Sequence, residues 1–216
     1  MNIFNISNIS KWILLCVSPL LLCHCAVKNN IQDPEKIYAQ YQISHLAINN
    51  FQISGLVNIK NTKQNQFITA QFIWTQNNNK TSIELYGPMG LDATYLSLDL
   101  ALEHQGAILI TPDHKKYQAD NAEQIMEEIL GWSVPVNGLR YWIFGVPENF
   151  KNLNTPASPE KHSLNSSGFL KTLNQDSWEI NYLAYKNSMP EKIILTRDGL
   201  VITVIVHGFS RVYGRN

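Results

Sequence analysis

The sequence lacks features on which several large classes of protein depend. Its three cysteines, Cys16, Cys23 and Cys25, all lie within the first 25 of 216 residues. The remaining chain therefore has no structural disulfide and must be stabilised by its hydrophobic core. The formal net charge is zero, so no excess of basic residues is available to neutralise nucleic-acid phosphates. We expect no nucleic-acid partner.

Recognisable catalytic motifs are also missing. The chain has no Gly-x-Ser-x-Gly elbow, no His-Glu-x-x-His pair and no glycine-rich phosphate loop. Its histidines are scattered, and its carboxylates fall mostly in turns or on predicted helix faces. His104 and His114 could approach each other across a hairpin, but no pattern of further metal ligands accompanies them. We therefore expect no enzyme activity, no metal site and no cofactor.

The N-terminal segment has the layout of an export signal. A mostly polar stretch, Met1–Lys11, precedes the apolar run Ile13–Leu22, whose length suits the ~7–15 residues of a secretory h-region. This run is too short for the ~20 residues of a membrane-spanning helix, and Pro19 interrupts it. Nothing later in the sequence reaches that length. We therefore predict a cleaved signal rather than a transmembrane anchor.

A cysteine, and not an Ala-x-Ala site, follows the apolar run. This is typical of a bacterial lipoprotein signal, in which the cysteine is acylated and becomes the first mature residue. Leu22 lies three residues before Cys25, so we predict Cys25 as the acylated residue. Cys23 is the alternative, since His24 is larger than the residue usual before such a cysteine. The predicted organisation is a signal at 1–24, a tether at 25–32 and one domain at 33–216.

Three helices are predicted from their capping residues and apolar stripes. Asp33 and Pro34 suit the start of the first helix, and Asp120 with Glu123 forms a capping box for the second, which Gly131 ends. A third, short helix is predicted at 138–144. The predicted stripes are Ile37, Tyr41, Ser44 and Ile48 on the first helix and Ile125, Met126, Ile129 and Leu130 on the second.

Most of the remaining chain shows the two-residue alternation of half-buried β-strands. About nine to eleven antiparallel strands are expected, with a long loop at 147–168 and a tight hairpin at Asp198-Gly199. No alternating βα pattern is present, so a parallel sheet is not expected. The strands predicted are 51–59, 67–75, 81–86, 94–100, 107–110, 115–118, 169–173, 178–185, 192–196 and 201–207.

These patterns predict a mainly β (α+β) protein. A meandering antiparallel sheet would curl into a barrel or half-barrel, gather its bulky apolar faces on the concave side, and be covered by short helices. Ile68, Phe72 and Trp74 share one such face, and Leu96 and Leu98 share another. Arg140, near the third helix, is expected in an ion pair or a helix cap, with a role at a cavity mouth as the alternative.

The Gly87-Pro88-Met89-Gly90 segment interrupts the strands and permits two interpretations. Met89 could fold back into the core from a turn. Alternatively, glycines and Pro88 could hold it out as an exposed apolar tip, and its flexible thioether side chain would enter lipid readily. The dense segment 137–145 permits a plainer interpretation, a helix over one end of the sheet with Trp142 and Phe144 in the core.

Four stretches together give the chain a resemblance to the LolB family of outer-membrane lipoproteins, over about residues 36–208. Asn50–Gly55 is similar to the family's first strand, and Gln71–Trp74 to its aromatic-rich second strand. Gly87–Gly90 is similar to its Asn/Gly-Pro-Leu-Gly loop, with Met89 in place of leucine. Val134–Gly145 matches its most specific run, with Pro, Leu-Arg, Trp and Gly.

The resemblance implies a half-barrel with a hydrophobic cavity for acyl chains. Such a protein, anchored by lipid at the periplasmic face of the outer membrane, accepts acylated lipoproteins from a carrier resembling LolA and inserts them into that membrane without nucleotide. The loop at Pro88, Met89 and Gly90 would enter the membrane, and the protein is expected to be a monomer. The alternative is a lipoprotein that binds lipid or peptide without transferring it. The expected cavity residues are Ile68, Phe72, Trp74, Leu96, Leu98 and Trp142.

Overall fold

A computed structural model describes residues 33–46, 48–87, 94–99, 106–148 and 161–212. The described helices are α1 (Pro34–Leu46), α2 (Ala122–Leu130) and α3 (Val136–Trp142). None of the helices within these ranges has the length and apolar character needed to cross a bilayer. The predicted signal, the tether and Cys25 lie outside the described residues.

Eleven strands are described, and all of their pairings are antiparallel. Ten of them correspond to the predicted strands. The eleventh, β7, lies where the sequence predicted only a loop. The strands are β1 (Asn50–Asn61), β2 (Gln66–Asn77), β3 (Lys80–Tyr86), β4 (Thr94–Asp99), β5 (Ala107–Ile110), β6 (Lys116–Ala119), β7 (Lys161–Leu164), β8 (Leu170–Gln175), β9 (Trp178–Lys186), β10 (Met189–Arg197) and β11 (Leu200–Arg211).

The strands form one sheet in the order β6-β5-β4-β3-β2-β1-β11-β10-β9-β8-β7. Two meanders, β1–β6 and β7–β11, therefore join where the first strand pairs with the last. The described sheet is not closed, because β6 and β7 remain at its edges. This confirms the predicted fold class, a mainly β protein with a large antiparallel sheet and short helices.

Alternation along β1 and β2, two of the three 12-residue strands, puts one apolar face inside. Phe51, Ile53, Val57 and Ile59 of β1 are all buried, and Phe72 of β2 is only 5% exposed. Phe51 packs against the rings of Trp74 and Phe144 in a filled part of the core, whereas Val57 and Ile59, further along β1, line the cavity described below.

Gly55 marks an irregularity in the pairing of β1 with β11. The register shifts between Ser54 and Gly55, as at a β-bulge. A Cβ atom at Gly55 would lie 1.9 Å from the backbone oxygen of Ile205. The close approach of the two strands here therefore requires glycine.

The predicted hairpin between β10 and β11 is confirmed. Asp198 and Gly199 have φ angles of 48° and 84°, the two positive values that a type I′ turn needs. The amide N–H of Thr62 donates to the Gly199 carbonyl at 3.0 Å. The β1–β2 turn (62–65) and this hairpin therefore lie together at one end of the sheet, called here the turn end.

The start of α2 differs from the prediction by one residue. Asn121, rather than Asp120, is the cap, and its Oδ1 accepts from the N–H of Gln124 at 2.8 Å. Glu123 therefore does not form the predicted capping box, and its carboxylate accepts instead from the N–H of Val136 at 3.0 Å. The predicted end is confirmed, since Gly131 has a φ of 76° and its N–H bonds the Glu127 carbonyl.

The buried face of α1 is also different from the predicted stripe. Tyr38, Tyr41 and Gln42 are buried, whereas Ser44 is exposed and Ile48 lies beyond the end of the helix. Tyrosines occupy the buried face of α1 because their hydroxyls reach the turn after α3. Tyr41 donates to the Phe144 carbonyl at 2.6 Å, and Tyr38 donates to the Gly145 carbonyl at 3.3 Å.

Candidate functional site

An apolar cavity of about 100 Å³ lies between the concave face of the sheet and the segment that runs from α2 to α3. We call this segment, Ala122–Trp142, the lid. Every described residue in the cavity wall except Thr94 is hydrophobic. The sheet contributes Val57, Ile59, Phe72, Trp74, Ile83, Leu85, Thr94, Leu96, Leu109, Leu195, Ile202 and Val204; the lid contributes Met126, Leu130, Trp132, Val134, Val136 and Leu139; and Ile143 follows it.

Three of the residues named from sequence, Phe72, Trp74 and Leu96, lie in this wall. Leu98 lies on β4, where its backbone pairs with Thr81, but its side chain is outside what the structure describes. Whether these residues contact acyl chains stays a prediction.

The other two predicted residues lie beside the wall and not in it. Ile68 shares the inward face of β2 but sits near the end of the strand, where it is 38% exposed. Trp142 is fully buried, and its indole Nε1 donates to Gln175 Oε1 at 2.8 Å. Ile68 thus belongs to the rim of the cavity, and Trp142 to the packed core next to it, as in the plainer interpretation of its segment.

Sequence reasoning did not name the wall residues of β1, β10 and β11. Their signal was present, because Val57 and Ile59 alternate on β1 and Ile202 and Val204 alternate on β11. This alternation did not identify a site from sequence, because the pairing of β1 with β11, which brings these residues together at the cavity, joins strands far apart in the chain.

Near the turn end, the stretch of the lid between α2 and α3 is attached to the sheet by two side-chain hydrogen bonds. Gln64 Nε2, in the β1–β2 turn, donates to the Gly131 carbonyl at 2.8 Å. Arg197 Nη2 donates to the Ser133 carbonyl at 3.2 Å, and its guanidinium lies 4.4 Å from the ring centre of Trp178. These contacts hold the lid over the cavity with much less bonding than a strand ladder provides.

Trp132 is the polar exception within the lid's part of the wall. Its side chain is buried, and its indole Nε1 has no hydrogen-bond partner among the described residues. A buried donor without a partner costs roughly 1–3 kcal/mol. The indole Nε1 of Trp178 on β9 is likewise buried without a partner among the described residues, so this cost falls on the sheet as well as on the lid.

Arg140 forms neither the ion pair nor the helix cap expected from sequence, so far as the described residues show. Its Nη2 donates to Asn49 Oδ1 at 2.8 Å, which ties α3 to the connection between α1 and β1. Burial lowers the pKa of its guanidinium from the ordinary value. Arg140 is also absent from the cavity wall, so its role is to position α3.

The end of the sheet opposite the turn end is filled by tyrosines. Tyr182 donates to the Trp142 carbonyl at 3.0 Å and Tyr185 to the Leu170 carbonyl at 2.8 Å. Together with the α1 hydroxyls they form a set of buried phenols, Tyr38, Tyr41, Tyr182 and Tyr185. Burial raises the pKa of all four, so their hydroxyls remain protonated donors. α1 and Trp142, the last residue of the lid, are therefore fixed at this end, whereas the lid near the turn end is held by two side-chain hydrogen bonds.

The β3–β4 connection leaves directly from the cavity wall. Leu85 and Thr94 pair with each other across the two strands and both line the cavity. Because β3 runs antiparallel to β2, it ends toward the turn end. Pro88, Met89 and Gly90 belong to this connection but lie outside the described residues.

The described residues contain no cluster of three or more His, Cys, Asp or Glu arranged to hold a metal ion. Among the described residues the wall is apolar except for Thr94, so burial of apolar surface is the binding energy that this wall can supply to a ligand.

Comparisons with known proteins show which family the chain is similar to. Residues 49–208 match the family model described as "Outer membrane lipoprotein LolB". Among similar curated proteins, the outer-membrane lipoprotein LolB of Francisella tularensis subsp. tularensis (strain FSC 198) is 29% identical, over 88% of each chain. That of Francisella tularensis subsp. novicida (strain U112) is 31% identical, over 76% of this chain and 75% of its own.

A third protein of the same name, from Stutzerimonas stutzeri (strain A1501), is 30% identical over 91% of this chain and 94% of its own. The family match spans most of the chain, and these similarities extend it to nearly the whole length. They confirm the resemblance inferred from the four sequence stretches. The chain belongs to the LolB family of outer membrane lipoproteins.

Proposed function

We propose that the protein accepts acylated lipoproteins from a periplasmic carrier resembling LolA and inserts them into the outer membrane, without nucleotide. The observation that carries this proposal is the apolar cavity beneath the lid. The cargo's acyl chains cannot cross an aqueous compartment without cover, because each CH₂ exposed to water costs about 0.8 kcal/mol of free energy. A wall made of hydrophobic side chains from seven strands and the lid offers them the shelter they need.

The cavity must enlarge to hold such a chain. An engineered cavity of about 150 Å³ holds one benzene molecule, so about 100 Å³ accommodates fewer carbons than one fatty acyl chain carries. The sheet is held by continuous ladders, and the tyrosine hydroxyls fix α1. The stretch of the lid between α2 and α3, held at Gly131 and Ser133, is the part of the wall that can move at least cost.

Transfer needs only a difference in affinity. If the cargo binds here about 1.4 kcal/mol more tightly than in the carrier, the equilibrium favours this protein tenfold. No covalent step is involved, and the proposed role is not enzymatic. In our proposal the protein acts as a monomer at the periplasmic face of the membrane, with Cys25 carrying the lipid anchor after removal of residues 1–24.

Mass spectrometry of the mature N-terminus tests the anchor. We expect an acylated peptide that begins at Cys25. A peptide beginning at Cys23 would move the site by two residues, and an unprocessed chain would refute the anchor.

The role proposed for Met89 is to bring the delivery step to the bilayer. The β3–β4 connection starts at the cavity wall, so an apolar residue in it is well placed to guide a released chain into lipid. A Met89→Glu substitution should leave the thermal unfolding temperature and the uptake of cargo nearly unchanged, but should abolish delivery into vesicles, because a carboxylate resists entering the bilayer.

The same experiment separates the alternatives. An unfolded Met89→Glu protein would show that Met89 is a core residue, since burying an unpaired charge is costly. Normal delivery by this variant would contradict a membrane role for the loop. If the unsubstituted protein takes no cargo from a loaded carrier, it is a lipid- or peptide-binding lipoprotein without transfer activity. Met89→Leu is the matched control and should behave as the unsubstituted protein.

A further inference from the structure

The tip of the β1–β2 hairpin exposes an aromatic side chain that the cavity does not explain. Phe67 is 71% exposed and Ile68, the next residue on β2, is 38% exposed. Phe67 points to the outer face of the sheet and Ile68 to the inner face, so apolar surface is present on both sides of the tip. A single exposed hydrophobic side chain is ordinary on a protein surface, so this tip is a candidate contact because it carries two of them together with the charges described below.

The tip extends past the neighbouring strand. The pairing of β2 with β3 ends at Gln71 and Tyr86 among the described residues, whereas β2 begins at Gln66 and pairs with β1 over its full length. The first five residues of β2 are therefore held on the β1 side alone. Phe67 and Ile68 both lie within this projecting part, at the same end of the sheet as the cavity rim.

Basic side chains accompany the exposed aromatic ring. Lys60 lies directly opposite Phe67 in the β1–β2 register, and Lys63 is in the turn between the two strands. The segment 58–69 contains these two lysines and no carboxylate, although the chain as a whole has no net charge. The positive charge at the tip is thus local.

We propose that the tip formed by Lys60, Lys63, Phe67 and Ile68 contacts anionic phospholipid, with the ring among the upper acyl segments and the ammonium groups at the phosphates. Lysines beside an apolar anchor are the composition of surfaces that bind anionic bilayers. Protein interfaces, by contrast, are depleted in lysine and bury roughly 800 Å² per partner, far more than two side chains at a hairpin tip supply. This inference rests on the proposed function, and adds a second lipid contact beside the cavity mouth.

The test measures the depth of the tip in the bilayer, because the lipid anchor alone would keep the protein on a vesicle. The full chain is reconstituted in vesicles of phosphatidylcholine and phosphatidylglycerol in equal parts, with and without brominated acyl chains. Phe67→Trp is compared with Leu183→Trp, a matched control on β9, where the leucine is 56% exposed. The emission of the unsubstituted protein is subtracted from each.

We expect the emission added by Phe67→Trp to shift to the blue and to be quenched by the brominated lipid, while that added by Leu183→Trp does neither. Changing both Lys60 and Lys63 to glutamine should abolish the difference in quenching between anionic and pure phosphatidylcholine vesicles. Equal quenching at the two positions, or none at position 67, would overturn the proposal.

Two further measurements distinguish a failure of the tip proposal from a failure of the proposed function. If empty carrier protein, without vesicles, produces the blue shift at position 67, the tip is a protein contact and the lipid proposal is wrong. Cargo uptake is measured on the same Phe67→Trp preparation and on the unsubstituted protein. Normal uptake without quenching counts against the tip alone, whereas failed uptake by the unsubstituted protein counts against the proposed function.

Discussion

Filling the cavity from its wall should separate folding from cargo binding. Val57 lies on β1 between Ala70 and Val204, is 8% exposed and lines the cavity. In Val57→Phe, a benzyl group replaces an isopropyl group and adds roughly four carbon atoms. At the packing of a benzene in a cavity of about 150 Å³, these need roughly 100 Å³. The added atoms therefore match the cavity of about 100 Å³.

The expected effect on stability is small. Removing a void of this size gains at most about 2.4 kcal/mol at about 24 cal/mol per Å³, and strain from an imperfect fit costs about 1–3 kcal/mol. These contributions oppose each other, so the free energy of unfolding should change by no more than about 2 kcal/mol. For a domain of this size the unfolding temperature should move by less than roughly 8 °C.

The affinity for cargo should fall much more than the stability does. A cavity shortened by about four methylene positions loses about 3 kcal/mol of burial, or on the order of a hundredfold in affinity. The assay is the transfer of an acylated lipoprotein from loaded carrier to purified protein without vesicles. Leu183→Phe, on the exposed outer face of β9, is the control and should accept cargo normally. A folded Val57→Phe protein that accepts cargo as well as this control would refute the assignment of the cavity.

Two further predictions concern the fold. Gly55→Ala should destabilise the protein by more than about 3 kcal/mol in urea unfolding, because its Cβ would lie 1.9 Å from the Ile205 backbone oxygen. Backbone atoms cannot move aside as easily as the end of a side chain, so the strain of overpacking remains. A cost below about 1 kcal/mol would contradict the observed close approach of β1 and β11. The free energy of unfolding should also fall as the pH rises above about 10, because burial raises the pKa of four tyrosines in the folded state. The unfolded chain therefore ionises first and binds fewer protons than the folded chain. Each phenol lowers the free energy of unfolding by up to about 1.4 kcal/mol per pH unit. Urea unfolding followed from pH 8 to 11 (roughly the range spanning the ordinary tyrosine pKa) checks this, and phenolate absorbance showing all nine tyrosines ionised in a chain that is still folded would contradict it.

Strand positions and the face that each strand buries were predictable, because alternation has the period of the structure itself. Phe72, Trp74 and Leu96 lie in the cavity wall for this reason. Alternation does not, however, tell how far along a strand the core extends. Ile68 has the same parity as Phe72 but lies at the rim, because β3 ends before it.

Features that depend on distant contacts were not predictable. β7 is a short edge strand of sequence KHSL with no long alternating pattern, and it exists because β8 offers it a partner. The buried face of α1 follows from the reach of two tyrosine hydroxyls to a turn more than 100 residues away in the sequence. Asn121 rather than Asp120 caps α2, and Glu123 accepts a hydrogen bond from Val136, 13 residues further along the chain. Each case is decided by tertiary context and not by local propensity.

The central claim is that the cargo's hydrocarbon chain occupies the cavity beneath the lid. It is tested most directly with a lipoprotein whose acyl chain carries a photoreactive group, loaded from the carrier and cross-linked, with the labelled positions mapped by mass spectrometry. We expect label on wall residues of both the sheet and the lid, near Trp74, Leu96 and Met126. Label confined to outer-face positions, such as those around Leu183, would contradict the claim.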